Sequence, residues 1–303
     1  MSREATSFAD LEVKTRSRPP LPAAVASPLG VPLIEAILRA SSEGLVSPIL
    51  VGPRAEVRSA LHRMAPERLG RIEIVDEGEE GAAKTAVSLV REGRARILIQ
   101  GRVPFAELLP AMRDPDHGIS TGRVLSGIHV FEDPRQGSKG LLALSDPMVN
   151  PQPDAPCLRQ IIENGVAVLK RLGFDEPAVA LLSGTNQVDE NLPWTQLARE
   201  MRKEMETGIV EGCLVDGPFT LDVALDRACA EERRIFSAVA GRARLLVPLR
   251  RDAARILLDT LQWLLGVKGA SIVSGATAPV VPLSRAHTLE DRLRAILLAR
   301  AVA

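Results

Sequence analysis

Short apolar runs ending in Gly, Ser or Asp alternate along this chain with segments whose apolar residues recur every three or four positions. The first of them, "PLPAAVASPLG", predicts a strand. "VPLIEAILRASSEGLV" then predicts a helix with Leu33, Ala36, Ile37 and Ala40 on one face, and "SPILVGP" a second strand. The pattern continues with "EVRSALHRMAPERL" and "EGAAKTAVSLVREG" as helices and "RIEIVD" and "ARILIQG" as strands. Further on, "GLLALSD", "AVALLSG", "EGCLVDG" and "ASIVSG" read as strands, and "PCLRQIIENGVAVLKRLGF", "TQLAREMRKEME" and "RILLDTLQWLLG" as helices. Strands this short and apolar are covered on both faces, so the alternation implies an α/β chain with mostly parallel sheets under helices. No repeat with a period of 20 to 50 residues is present, which excludes solenoids and propellers.

At 303 residues, with 46% hydrophobic and 25% charged, the chain can fill a large core, divided most simply between two domains. Lys+Arg and Asp+Glu are both 38, so no global field draws it to nucleic acid or a membrane surface. No run of about 18 apolar residues occurs, and "MSREATSFADLEVKTRSRPP" has no apolar signal core; cytoplasm is the expected compartment. Cys157, Cys213 and Cys229 form no CxxC pair, and the four histidines form no HxxxH or HExxH spacing. The cysteines are expected to be buried and reduced, and no metal site is expected. GxGxxG and GxxxxGK[ST] are missing, which argues against the Rossmann and P-loop nucleotide sites, and "LLSGTN" holds Ser183 in the wrong glycine frame for a serine-hydrolase elbow.

In open α/β sheets ligands bind outside the carboxyl ends of strands, which singles out "SDPMVN", "SGTNQ", "VDGP" and "LSRA". Asp216 closes an apolar strand at a Gly-Pro turn, with Asp222 near the start of a helix; turn and helix-dipole chemistry explain both without a ligand. Asp146 and Asn150 stand in a stiff loop with Pro147, Pro151, Pro153 and Pro156, a suitable ligand wall. In "SGATAPVVPLSRAHTLEDRLRA", Ser284 either caps a helix whose Glu290, Asp291 and Arg292 form a solvated face, or points with Arg285 toward a ligand. In the second case Asp291, about two turns along that helix, is the base.

"LSDPMVNPQPD", "VDGPFTLDVAL", "VAGRARLLVP" and "GATAPVVPLSRA", in this order, together with "GISTGRVLSGIHVFE", resemble the phosphate acetyltransferase and phosphate butyryltransferase family from about residue 22 to the C-terminus. The resemblance implies an isocitrate/isopropylmalate dehydrogenase-like fold: two α/β domains with a cleft between them, residues 1–124 plus 288–303 forming one and 125–287 the other. It implies a homodimer whose substrates are CoA or acyl-CoA and inorganic phosphate or acyl phosphate, with no permanently bound cofactor. It carries catalytic roles to Ser284, Arg285 and Asp291. The matching segments make Thr121, Arg123, Asp146, Asn150, Asp216, Gly217, Pro218 and Gly275 the substrate-binding candidates.

The chemistry needs such residue types. A carboxylate that accepts the thiol proton during attack increases productive encounters, because a free thiol near pKa 8.5 is mostly protonated at neutral pH. Arginine presents a planar fork to phosphate oxygens, and serine can donate to a developing oxyanion. The chain departs from relatives at several places. Gln100-Gly101 stands for Lys-Gly, Pro110 and Ser120 for arginines, "PLRRDAA" for a PxxxxGN loop and Trp194 for a serine, while Arg102, Arg113, Arg123, Arg250 and Arg251 are nearby in sequence. Two alternatives are therefore weighed. One is a degenerate homologue that binds CoA or acyl-CoA without turnover, as a regulatory or scaffolding protein. The other, a metal- and NAD-dependent decarboxylating dehydrogenase, lacks a DxxxD pattern in "VDGPFTLD".

Overall fold

The computed structural model describes residues 4–136, 140–284 and 286–303. The chain divides into one compact unit of Phe8–Arg123 with Ala270–Ala303, and another of Met1–Ser7 with Val124–Gly269. The N-terminal part of the first unit runs α1 (Phe8–Arg16), β1 (Leu21–Ala26), α2 (Val31–Ser42), β2 (Val46–Gly52), α3 (Arg54–Met64), β3 (Glu73–Asp76), α4 (Ala82–Arg91), β4 (Ile97–Gln100) and α5 (Phe105–Arg113). The second unit holds β5 (Ser126–Glu132), β6 (Leu141–Ser145), α6 (Ala155–Arg171), β7 (Ala178–Leu182), α7 (Pro193–Glu206), β8 (Leu214–Phe219), α8 (Leu221–Leu225), α9 (Arg227–Glu232), β9 (Leu245–Pro248) and α10 (Arg251–Asp259). The chain then continues through β10 (Gly269–Ser274), β11 (Val280–Val281) and α11 (Leu289–Val302).

In the first unit the strands lie in the order β3-β2-β1-β4-β11-β10. All neighbours are parallel except β10 and β11, which are antiparallel. The stripe expected on α2 is the one that packs: Leu33, Ile34, Ala36, Ile37 and Ala40 are buried. Ala23, Ala24, Val25 and Ala26 of β1 are fully buried, small side chains that let helices approach the sheet closely. In the second unit the order is β5-β6-β9-β7-β8, parallel except for β5 against β6. Its core gathers Phe131, Leu142, Leu144, Ala180, Val223, Leu246 and Leu258. The two antiparallel pairs depart from the simple alternation because an apolar run carries no information about strand direction.

Two further features differ from the sequence reading. β8 does not close at Asp216; it continues through Gly217 and Pro218 to Phe219. Its register against β7 passes from Ala180↔Asp216 to Leu182↔Phe219, so β8 spends one extra residue, a bulge rather than a turn. Gly217 has φ +149° and a Cβ there would lie 2.6 Å from Leu181 O, so the bulge requires glycine. The second difference is α11, where a solvated charged face was one expectation. Arg292 and Arg300 are instead only 7% and 2% exposed among Leu293, Ile296 and Leu298. Their guanidinium heads end on backbone carbonyls: Arg300 donates to Arg18 O at 2.9 Å and Pro19 O at 2.6 Å, and Arg292 to Ser284 O at 3.4 Å.

Candidate functional site

In the second unit, β6, β9, β7 and β8 are parallel, so their carboxyl ends share one edge. The residues following them, Asp146, Ser183, Thr220 and Leu249 with their successors, are where the ligand rule for open sheets applies. Asp146 is 4% exposed. Its Oδ1 accepts the N–H groups of Gly127, Met148 and Val149 at 2.8, 3.0 and 3.0 Å, and its Oδ2 accepts Asn150 N at 3.0 Å and Asn150 Nδ2 at 2.7 Å. Asn150 Nδ2 also donates to Leu125 O at 2.8 Å. Burial raises the Asp146 carboxyl above the usual carboxylate range, against the opposing pull of these donors. Asp146 thus organises its own loop, holding the Asn150 amide in one orientation.

Asp216 Oδ1 accepts Gly217 N at 2.8 Å and its Oδ2 accepts the Ser237 hydroxyl at 2.6 Å. Asn186, from the "SGTNQ" loop, accepts both the N–H and the hydroxyl of Thr220, at 2.7 and 3.1 Å. The Thr220 hydroxyl and Arg233 push the Asp222 carboxyl down to about 2. Arg250 lies with its guanidinium carbon 5.5 Å from the Trp194 ring centre, and Arg251 N donates to Pro151 O at 3.2 Å. The sequence reading singled out neither Ser237 nor the Asn186–Thr220 link: Ser237 is 21 residues from Asp216, and no spacing rule connects them.

In the first unit, Thr121 donates to Gly275 O at 3.0 Å, and Ser120 pairs with Ala276 in an isolated antiparallel bridge. The Ser120 hydroxyl turns back to Arg123 O at 3.3 Å, leaving the Arg123 side chain exposed. Two of the candidates, Thr121 and Gly275, are therefore in direct contact. At the end of β4, a Cβ on Gly101 would fall 2.2 Å from Ala26 O and 2.3 Å from Ser27 O, and Arg102 N donates to Ser27 O at 2.8 Å. The ends of β1 and β4 are fastened together there. Gln100 is buried, with Nε2 on Val103 O at 2.9 Å and Oε1 accepting Leu283 N at 3.1 Å.

Ser284 follows β11 and is exposed; Arg285 lies outside the described residues. Ser284 Oγ accepts Ala286 N at 3.2 Å, its N–H donates to His287 Nδ1 at 3.2 Å, and its carbonyl accepts His287 N at 3.2 Å. Ser284 does not cap the helix. Thr288 does, in a capping box: Thr288 Oγ1 accepts Asp291 N at 3.2 Å while Asp291 Oδ2 accepts Thr288 N at 2.9 Å and its hydroxyl at 2.7 Å. Asp291 sits in the first turn of α11, not two turns along it. Burial alone would raise its carboxyl, but the Thr288 donors and Arg294, bound to Oδ1, outweigh it and hold the group below its ordinary 3.8. No hydrogen bond joins Ser284 to Asp291 among the described residues; His287 and Arg292 both contact Ser284.

The cysteines are free; Cys213 is buried and its thiol is pushed up to about 11 by burial, while Cys157 and Cys229 are half-buried. Burial was expected for all three and holds for one. Among the described residues no helix is long and apolar enough to cross a membrane.

The fold is shared with a phosphotransacetylase from Streptococcus pyogenes, with a TM-score of 0.83 at 22% identity over 97% of each chain, and this sets the class as a phosphotransacylase-type α/β fold. The chain is 34% identical to a phosphate acetyltransferase of Rhizobium meliloti over 94% of its own length and 89% of the relative's. It is 31% identical to a phosphate butyryltransferase of Clostridium acetobutylicum over 98% of each. Residues 72–300 match the family described as phosphate acetyl/butaryl transferase, and the chain belongs to that family of acyltransferases.

Proposed function

We propose that this chain exchanges an acyl group between CoA and inorganic phosphate, acyl-CoA and phosphate giving acyl phosphate and CoA. Curated relatives with transferase names across nearly the whole length support the reading and leave the non-catalytic alternative unsupported. In the direction of CoA acylation, the thiol sulfur attacks the acyl carbon, the thiol proton leaves to a base, and the C–O bond to phosphate breaks with the electron pair staying on phosphate.

The observation that carries the residue roles is the bonding of Ser284 and Asp291. The Ser284 oxygen accepts Ala286 N–H, and among the described residues its hydrogen has no acceptor, so it is available to a developing oxyanion. Asp291 is kept as a carboxylate. The Thr288 donors and Arg294 hold it below the ordinary carboxylate range despite burial, far under a free thiol near 8.5. Full proton transfer before attack is too costly; Asp291 serves by taking the proton as the sulfur–carbon bond forms. Arg285 follows Ser284 in the chain and is assigned the anionic phosphate oxygens. Thr121, Arg123, Asp146, Asn150, Asp216, Gly217, Pro218 and Gly275 are assigned to substrate binding, with Asp146 acting through the amide of Asn150.

In the same reading, the two units are the domains of an isocitrate/isopropylmalate dehydrogenase-like enzyme that works in the cytoplasm as a homodimer. Ile256, Trp263, Leu264 and Leu265, all at least 60% exposed on and just after α10, support the dimer because monomers seldom expose so apolar a patch. The test is thiol release from acetyl- to octanoyl-CoA with and without phosphate. Release that requires phosphate is the expected result, and Asp291→Asn should lower turnover roughly 10²–10⁴-fold with little change in CoA affinity. Phosphate-independent release, or an unaltered rate in the variant, would remove the reaction or the base from this account.

A further inference from the structure

Gln100 is the last residue of β4 and is 7% exposed. Both ends of its amide are committed to backbone: Nε2 donates to Val103 O at 2.9 Å and Oε1 accepts Leu283 N at 3.1 Å. The second of these bonds crosses 183 residues of sequence to the position just before Ser284. β11 runs parallel to β4, with Val280 opposite Leu98 and Val281 opposite Ile99. Pro282 follows and has no N–H with which to continue the ladder. Beyond it, the Gln100 side chain takes the place of a backbone partner and carries the attachment one residue further. Gln100 itself sits on a rigid base, since Gly101 closes against Ala26 and Ser27.

We propose that Gln100 is a positioning residue for the transfer reaction, fixing the Leu283–Ser284 backbone so that the Ser284 hydroxyl meets the tetrahedral oxygen. The proposal rests on the role given to Ser284 above. It also accounts for the amide at this position. A side chain that donates to Val103 O and accepts from Leu283 N must present both functions at once, and glutamine does. A lysine ammonium can donate to the carbonyl but cannot accept the N–H. The polar atoms that could have reached a substrate anion are turned to the backbone, so Gln100 acts through Ser284 and not on phosphate.

The experiment uses the full chain and three readouts: the kcat and KM split for acyl transfer, the pH profile, and hydrogen exchange at the Leu283 amide. Gln100→Met keeps size and apolar contacts while deleting both bonds. It should lower kcat about tenfold or more, leave KM for CoA within about twofold, and speed Leu283 exchange about tenfold. Gln100→Glu should be impaired at neutral pH and regain activity as pH falls, because only the protonated carboxyl can donate to Val103 O and accept Leu283 N together. Burial beside that carbonyl raises the pKa at which this happens. A Gln100→Met enzyme with wild-type kcat and wild-type Leu283 exchange would overturn the proposal, as would a Gln100→Glu profile parallel to wild type. If Gln100→Met does not fold, the Gln100→Glu profile decides alone. Should the wild type show no phosphate-dependent transfer, the function reading fails, while Leu283 exchange still reports on the clamp.

Discussion

In an Asp146→Asn variant, one carboxylate oxygen becomes an NH2 group in a position that presents only N–H donors. If the remaining amide oxygen keeps the three donors of Gly127, Met148 and Val149, the new nitrogen faces Asn150 N and Asn150 Nδ2, which stand 3.0 and 2.7 Å from the oxygen it replaces. Two bonds to a charged acceptor are lost, each worth about 1.5–3 kcal/mol. Against this, the variant no longer buries a charge, a cost visible in the upward displacement of the Asp146 carboxyl. The two lost bonds together amount to about 3–6 kcal/mol, and relief of the buried charge makes the net loss smaller than that sum. Urea denaturation at pH 7 reads it as a lower midpoint at unchanged slope, with KM for CoA and phosphate measured on the same preparation. A variant as stable as the wild type whose KM for either substrate rises would refute the reasoning, because the carboxylate would then be serving the ligand and not the loop.

Thr288→Ala removes the N-cap of α11 and one donor to Asp291; stability should fall by about 1 kcal/mol, and the acid limb of kcat/KM against pH should move to higher pH as Asp291 becomes easier to protonate. An unmoved acid limb would show that Asp291 does not govern the rate. His287 is held below its ordinary 6.5 by burial first and Arg292 second, with Asp291 opposing. Its neutral form is the one the fold favours, so its contribution to stability is complete above pH 6.5 and is lost as pH falls through its folded value. Denaturation midpoints from about pH 8 to about pH 5 should therefore decline more steeply for the wild type than for His287→Asn, and equal slopes would contradict the assignment.

The helices and parallel strands from β1 to β4 were legible because their apolar periods are long and uninterrupted, as the buried face of α2 illustrates, whereas α1, which buries only Phe8, Leu11 and Thr15, was not. β5, the four-residue β9 and β11 were not read as strands. β5 mixes buried polar residues, Ser126 and His129, into its run, and β11 is two residues long. α11 shows the limit of judging charge as surface: Arg292 and Arg300 bury their stems and donate from their heads to carbonyls that no local pattern announces. At the site, the spacing of Ser284 and Asp291 was visible, but the T-x-x-D capping box at Thr288 was passed over in favour of a cap by Ser284. The partners that fix the chemistry, Gln100 on Leu283 and Ser237 on Asp216, come from distant sequence and only the fold assembles them.

The first unit is interrupted. Its closing pieces, β11 and α11, are separated from β4 and α2, against which they pack, by residues 124–269 of the second unit. For an unstructured insert of ~150 residues, bringing those ends together costs ~4 kcal/mol of chain entropy before any contact is made. The second unit reduces that cost when it folds, because it ties its own ends together: Glu132 N donates to Lys268 O at 3.0 Å, and Gly269 lies against the His129 ring. The continuous stretch 124–269 is thus able to fold first, and the segment carrying Ser284 and Asp291 gains its final shape afterwards. A lesion that slows the second unit, far from either residue, would delay the appearance of activity more than it lowers the final yield.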